Sequence, residues 1–458
     1  MTAAAFFDLD RTLLPKGSGS TIGRHLEAEG IGASPNVPGL ELAAMLYEQF
    51  GETRLSMAAT KQFVRTAKGW SVETVERAAE NAALELSDAV PKYAMLLLEE
   101  LRAKGMKLVL ATTTPTVLIG PLAMELGFDD VVATEWAHEN GEFTGTTVGP
   151  FVWGTEKRDA IVAWAEANDV DLAASAAYSD SYFDAPMLDA VGEAVAVNPD
   201  ARLAAVAALQ GWEIRHFDAP PGVLRLLGKE LQDFLRPFAR TEFLPTIDWE
   251  ISGVEHIPAE GPAILAFNHR SYFDTFAMQM LIAKTGRPCR FLAKREMFDT
   301  PVLGTISRLA GGIPVDRGTG SDAPLRHATE ALEAGEMVAI APQGTIPRGH
   351  AFFDPELKGR PGAAQLAIDA KAPVFPVGLW GTELVWPRNK KAPLFDPRER
   401  PSVSVTVGPA VDLKRRKATT DTTRIMSAIV DLLPPEAREH REPTEEELAR
   451  TFPSGKSE

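Results

Sequence analysis

Short apolar runs that stop abruptly on a polar or charged residue recur along this chain, and they limit its architecture more than any other feature. Residues 3–7 stop at Asp8, 106–111 at Thr112, 173–178 at Ser179-Asp180, 262–267 at Asn268-His269 and 337–341 at Pro342-Gln343. Runs this short are the mark of strands buried in a parallel sheet. Between them lie stretches with helical spacing, such as residues 71–80. Strands alternating with helices specify an α/β fold, and such sheets place ligands at the carboxyl ends of their strands. The polar stops are therefore the candidate functional positions.

A chain of 458 residues exceeds one ordinary domain. Its 45% hydrophobic and 24% charged content suit globular cores. No run reaches the roughly 18 apolar residues of a transmembrane helix. The N-terminus enters an apolar strand without a basic region, so neither a spanning helix nor a signal peptide is expected, and a cytoplasmic location is. Cys289 is the single cysteine, which excludes an internal disulfide and fits a reducing compartment. Residues 1–220 hold 32 Asp and Glu against 16 Lys and Arg, whereas residues 221–458 balance at 31 each. So acidic a first half argues against nucleic acid and anionic membranes as its partners. The balanced second half is compatible with a membrane surface.

In the first half four segments share one logic. Asp8, in Asp8-Leu9-Asp10-Arg11-Thr12, can act as a nucleophile, with Asp10 moving a proton. Thr112 and Lys157 can hold phosphate oxygens. Asp180 and Asp184 can complete a hard-oxygen Mg²⁺ site. Each piece alone is common, and an Asp-x-Asp is more often a turn; the ordered set is specific. It resembles the haloacid dehalogenase-like hydrolases, in their phosphoserine-phosphatase-like branch, over residues 3–210. The resemblance implies a doubly wound Rossmann-like parallel sheet in residues 1–216 with a helical cap at about 17–100. It implies Asp8 as nucleophile, Asp10 as acid/base, Thr112 and Lys157 on phosphate, and Mg²⁺ held among Asp8, Asp10, Asp180 and Asp184. In this chain Ser179 stands where that branch usually has glycine, and the segment after Thr12 lacks the glutamate expected to grip a phosphoserine ammonium group.

Residues 217–247 form an amphipathic linker in which Val223, Leu224, Leu227, Leu231, Phe234, Leu235 and Phe238 recur at helical spacing. Such a stretch either docks on its own protein or lies in a bilayer interface. Its polar face is not strongly basic, which favours docking.

The second half is organised around Asn268-His269-Arg270-Ser271-Tyr272-Phe273-Asp274 at the end of a buried run. A carboxylate that accepts from one imidazole nitrogen fixes the tautomer and leaves the other nitrogen as a base. Taken alone, the stretch reads equally well as a capped helix start. Three further blocks follow, at residues 311–317, 342–345 and 374–376. Together they resemble the lysophosphatidic acid acyltransferase family over residues 248–435, with Gln343 where that family usually has glutamate. The resemblance implies an α/β glycerolipid acyltransferase domain at 248–440. His269 is its general base, Asp274 the orienting partner, and Arg317 with Gly344 and Thr345 the holders of the acceptor's phosphate. Lys284, Arg287, Arg290, Lys294 and Arg295 read either as a solvated face or as a surface for acyl-donor phosphates and lipid headgroups. Residues 441–458 read as a loose polar tail.

The expected whole is a bifunctional protein: acyl transfer from acyl-CoA or acyl-carrier protein to lysophosphatidic acid, and Mg²⁺-dependent phosphomonoester hydrolysis. Peripheral contact with the inner face of the membrane is expected with it. Two alternatives remain open: an acyltransferase carrying an idle regulatory first module, or a phosphatase with a non-catalytic lipid-binding second domain.

Overall fold

Strand β1 (Ala4–Phe7) is buried throughout, and its alternate side chains feed opposite faces: Ala5 and Phe7 join one core, Ala4 and Phe6 the other. This computed structural model describes residues 2–31, 52–220, 223, 225–226, 229–299, 304, 307, 311–315, 323–396 and 398–453. They divide into two compact units, Met1–Pro221 and Gly222–Glu458.

In the first unit β2 (Lys107–Thr112), β3 (Asp130–Ala133), β6 (Ala176–Ser179), β7 (Glu193–Val197) and β8 (Glu213–Arg215) join β1. They form a six-stranded sheet of order β3-β2-β1-β6-β7-β8, with every pairing parallel. The chain winds outward from β1 in both directions, so the crevice opens at the carboxyl ends of β1, β2 and β6. Strand β6 starts later than the apolar run suggests, because Asp171 caps a short helical turn at Leu172–Ala174.

The cap contains the helices Gly19–Ala28, Arg54–Thr66, Val72–Asp88 and Lys92–Ala103. To these the structure adds an antiparallel hairpin, β4 (Glu135–Glu139) and β5 (Glu142–Val148). Trp136 of the hairpin packs on Phe63 and Trp70 of the cap, with ring centroids 6.1 and 6.3 Å apart, and Phe143 packs on Trp136 at 5.3 Å. A cap of helices alone would leave these rings wet.

In the second unit β9 (Arg225–Leu226) and β10 (Lys229–Glu230) form a short antiparallel pair. A seven-stranded sheet contains β11 (Asp248–Ser252), β12 (Ala263–Phe267), β13 (Cys289–Lys294), β14 (Ile313–Val315), β15 (Met337–Ile340), β16 (Val374–Trp380) and β17 (Ser402–Val407). Its order is β11-β17-β16-β12-β15-β13-β14, parallel except where β16 meets β17. Ile264 and Ala266 face one core, Ala263, Leu265 and Phe267 the other. Both faces are covered, as continuous apolar strands require.

The linker docks by its polar side, which the apolar spacing did not suggest. Glu230 and Gln232 are buried, while Phe234 and Leu235 are 42% and 49% exposed. Leu224 and Leu227 lie outside the described residues. Glu230 binds the fully buried Arg290 guanidinium at 2.5 and 2.8 Å, and Glu336 binds the same group at 2.7 Å twice. Gln232 exchanges hydrogen bonds at 3.1 Å with the Cys289 backbone. Arg290 is therefore a buried tether and not part of a basic face. Arg287 is also structural, donating to the carbonyls of Pro258, Gly261 and Gly335. The tail is held too: Glu445–Arg450 is a helix with a capping box, and buried Thr451 accepts from the Gly349 amide at 2.8 Å.

Candidate active sites

The first site forms where β1, β2 and β6 end. Asp8 follows β1 directly and is 6% exposed. One of its oxygens accepts from Lys157 Nζ at 2.8 Å, the other from Thr12 Oγ1 at 3.1 Å. Lys157 also donates to Asp184 at 2.7 Å. Burial works against the lysine's charge, but Asp184 and Asp8 outweigh it and hold the ammonium above its ordinary range. Thr112 ends β2, and its oxygen accepts the Thr114 amide at 3.2 Å, leaving its O–H to donate elsewhere. The sheet thus brings Asp8, Thr112, Lys157, Asp180 and Asp184 to one edge.

All four carboxylates expected on the metal already accept hydrogen bonds within the protein. Asp10 accepts the Ser18 amide at 2.5 Å and the Thr114 hydroxyl at 3.3 Å. Asp184 serves Lys157 and also accepts Ser179 Oγ at 2.8 Å. Among the described residues no three side chains of Asp, Glu, His or Cys converge into a cage for an ion. Asp184 Oδ1 is buried without a hydrogen-bond partner, and with Asp8 and Asp180 beside it the cluster suits Mg²⁺, which binds through one or two carboxylates and otherwise keeps water or substrate oxygens. Electrostatics support the fit. Burial, only partly offset by Lys157, pushes Asp8 up to about 7, and burial likewise lifts Asp180 well above the carboxylate range. The site is short of positive charge. Ser179 is built into this loop, since its oxygen also accepts the Ser181 amide at 3.2 Å.

Sequence reasoning missed three participants here. Thr12 receives the Asp180 amide at 2.9 Å and so joins the first and last motifs. Arg11 donates from Nε to Asp180 at 3.0 Å. Glu52 arrives from the cap and accepts from Ser181 Oγ at 2.7 Å and Trp153 Nε1 at 3.1 Å. Burial first, then Asp184, pushes Glu52 up to about 8. No local pattern marks Glu52, because its partners lie more than a hundred residues away.

The second site opens at the end of β12. His269 Nδ1 lies 2.5 Å from Asp274 Oδ2, and Asp274 is fully buried at the start of the helix Asp274–Thr285. That oxygen also accepts the amides of Arg270 at 2.7 Å and Ser271 at 2.9 Å, while Thr382 Oγ1 donates to the other at 2.6 Å. So placed, the carboxylate can only accept, which puts the proton on Nδ1 and leaves Nε2 with its lone pair open to accept a proton. The His269 side chain is 25% exposed, and among the described residues Nε2 has no hydrogen-bond partner. The dyad and the helix start, alternatives in the sequence, are both present in one motif.

Gln343 fixes the histidine from behind, its Oε1 accepting the His269 amide at 2.6 Å. Asn268 pins the loop to β16 through Leu379, at 2.9 and 2.7 Å. Arg270 is stacked over Trp380 and Phe352, with its guanidinium 4.0 and 4.4 Å from the ring centroids, and is paired with Glu383. Thr345 follows Gly344, whose φ of 70° suits a residue without a side chain. Arg317 lies outside the described residues.

Comparison with known proteins finds a family model for a stretch of each unit. The haloacid dehalogenase-like hydrolase model matches residues 5–189, and the Acyltransferase model matches residues 248–380. Phosphoserine phosphatase SerB1 of Mycobacterium tuberculosis is 35% identical over 220 residues, covering 47% of this chain and 71% of that protein. The inhibition of morphological differentiation protein of Streptomyces azureus is 33% identical over 220 residues, covering 47% and 79%. The structure of the 1-acyl-sn-glycerophosphate acyltransferase of Thermotoga maritima aligns at 20% identity and a TM-score of 0.31, covering 43% and 79%. The chain belongs to the haloacid dehalogenase-like hydrolases through residues 5–189, and its residues 248–380 match the Acyltransferase model.

Proposed function

We propose that the second unit transfers an acyl chain from acyl-CoA or acyl-carrier protein to the hydroxyl of lysophosphatidic acid, and that the first hydrolyses a phosphomonoester through phospho-Asp8. The observation that carries the acyl-transfer reading is the His269–Asp274 pair. A hydroxyl attacking a thioester must lose its proton, and a neutral imidazole with Nε2 open takes it. The oxygen of the acceptor then bonds to the acyl carbon, the thiolate leaves, and the imidazolium returns the proton to sulfur. Gly344 and Thr345, together with Arg317, are the proposed holders of the acceptor's phosphate.

For hydrolysis, Asp8 attacks phosphorus while Lys157 and Thr112 neutralise the phosphate oxygens, and Asp10 gives a proton to the leaving oxygen and later takes one from water. Mg²⁺ held by Asp8, Asp180 and the Asp10 carbonyl would supply charge neutralisation. The test is direct. Purified protein given lysophosphatidic acid, acyl-CoA and Mg²⁺ should yield phosphatidic acid by mass spectrometry. With a panel of phosphomonoesters it should release phosphate. Absence of the diacyl product would overturn the first assignment; absence of phosphate would leave the first unit an idle module.

Peripheral membrane contact belongs to the same proposal. No helix of the described residues is long and apolar enough to cross a membrane. Phe234, Leu235, Phe238 and Phe243 of the linker are exposed, and so are Tyr272 and Phe276 beside the dyad. Exposed rings of this kind suit a bilayer interface. Changing Phe234 and Phe238 to serine should weaken liposome binding by about tenfold or more, since two rings lose their burial. The melting temperature should hold. Unchanged binding with a lower melting temperature would show that the rings serve internal packing instead.

A further inference from the structure

Arg11 occupies a backbone position that arginine enters only at a cost. Its φ of 64° and ψ of −3° lie in the left-handed region, which glycine adopts freely and a side chain does not. Strain of this sort persists where surrounding structure enforces it, and it concentrates at functional sites. The side chain gives the reason. Its Nε donates to Asp180 Oδ2 at 3.0 Å, and the carboxylate it meets is 5% exposed. The other Asp180 oxygen is already near Thr12 Oγ1 at 3.4 Å. A permanent cation therefore sits on one of the carboxylates expected to hold a metal.

We infer that Arg11 is a tethered competitor of the divalent cation: its guanidinium neutralises Asp180 in the ion-free protein and must release Oδ2 before an ion can bind there. This rests on the proposed metal role of Asp180. The physical argument has two parts. A carboxylate oxygen engaged by a guanidinium is not available as a ligand until that charge-assisted hydrogen bond breaks. A fixed positive charge beside the site also repels an incoming cation. Both raise the ion concentration needed to fill the site. Arg11 thus sets a threshold for the cation and keeps the acidic cluster compensated below it.

The experiment titrates Mg²⁺ alone into the full-length protein by calorimetry, comparing wild type with Arg11→Ala and Arg11→Gly. Both variants should bind about tenfold more tightly, the equivalent of one charge-assisted hydrogen bond no longer broken. Agreement between alanine and glycine separates the lost guanidinium from relief of backbone strain. In chelator Arg11→Ala should melt below wild type, and saturating Mg²⁺ should abolish that difference. Asp180→Asn should lose binding in every background. Equal or weaker affinity in the Arg11 variants overturns the inference and leaves the metal site standing. Binding retained by Asp180→Asn, or absent from wild type, overturns the metal site and the inference together.

Discussion

Replacing His269 with alanine lowers thiol release from acyl-CoA by about 10²–10⁴-fold, the usual contribution of a positioned general base, and leaves phosphate release at the wild-type rate. The geometry makes the loss specific. Asp274 keeps its other donors, the amides of Arg270 and Ser271 and the hydroxyl of Thr382, so its buried charge is not orphaned by the substitution. His269 itself is partly exposed, and its removal opens no sealed cavity. The loop stays pinned by Asn268 and by Gln343 on the His269 amide, contacts that alanine preserves. The variant should therefore fold and bind its substrates, with the fall appearing in kcat rather than KM. A variant that acylates at the wild-type rate would remove His269 from the chemistry.

Asp8→Asn has the opposite effect, reducing phosphate release by about 10⁴-fold or more because the proposed nucleophile is gone, with thiol release intact. Asparagine keeps the shape: its one carbonyl oxygen can still accept from Lys157, its amide nitrogen can donate to the Thr12 hydroxyl oxygen, and Lys157 retains Asp184 as counter-ion. A second signature accompanies the loss. Asp8 titrates at about 7 in the folded chain, against roughly 4 when unfolded. Between those values the folded state binds more protons, so the metal-free protein loses stability as pH rises through that window. Asn cannot titrate, and the variant's melting temperature in chelator should fall less between pH 5 and 7.5 than that of the wild type.

How far these sites were legible varied with the distance over which their parts come together. Strands buried on both faces announce themselves locally, so β1, β12 and β15 and the residues at their ends were readable. The His269–Asp274 pair spans one turn and was readable for the same reason. Arg290 was misread as a surface cation because Glu230 and Glu336, which bury it, lie 60 and 46 residues away. Glu52 and Arg11 depend on contacts to residues 180 and 181, which only the fold supplies. The hairpin β4–β5 was legible and overlooked: Asn140-Gly141, both with positive φ, is the turn dipeptide that twisted hairpins favour. The linker misled because the end of its apolar run, at Phe234, Leu235 and Phe238, faces outward, while Glu230 and Gln232 do the docking.

Two independent chemistries in one chain is the central claim, and a single reaction mixture tests it most directly. Wild type, His269→Ala and Asp8→Asn are each given lysophosphatidic acid, acyl-CoA, a phosphomonoester and Mg²⁺, with thiol and phosphate followed together. The account expects both products from wild type, phosphate alone from His269→Ala and thiol alone from Asp8→Asn. Loss of both products in either single variant, with the fold intact, would contradict it.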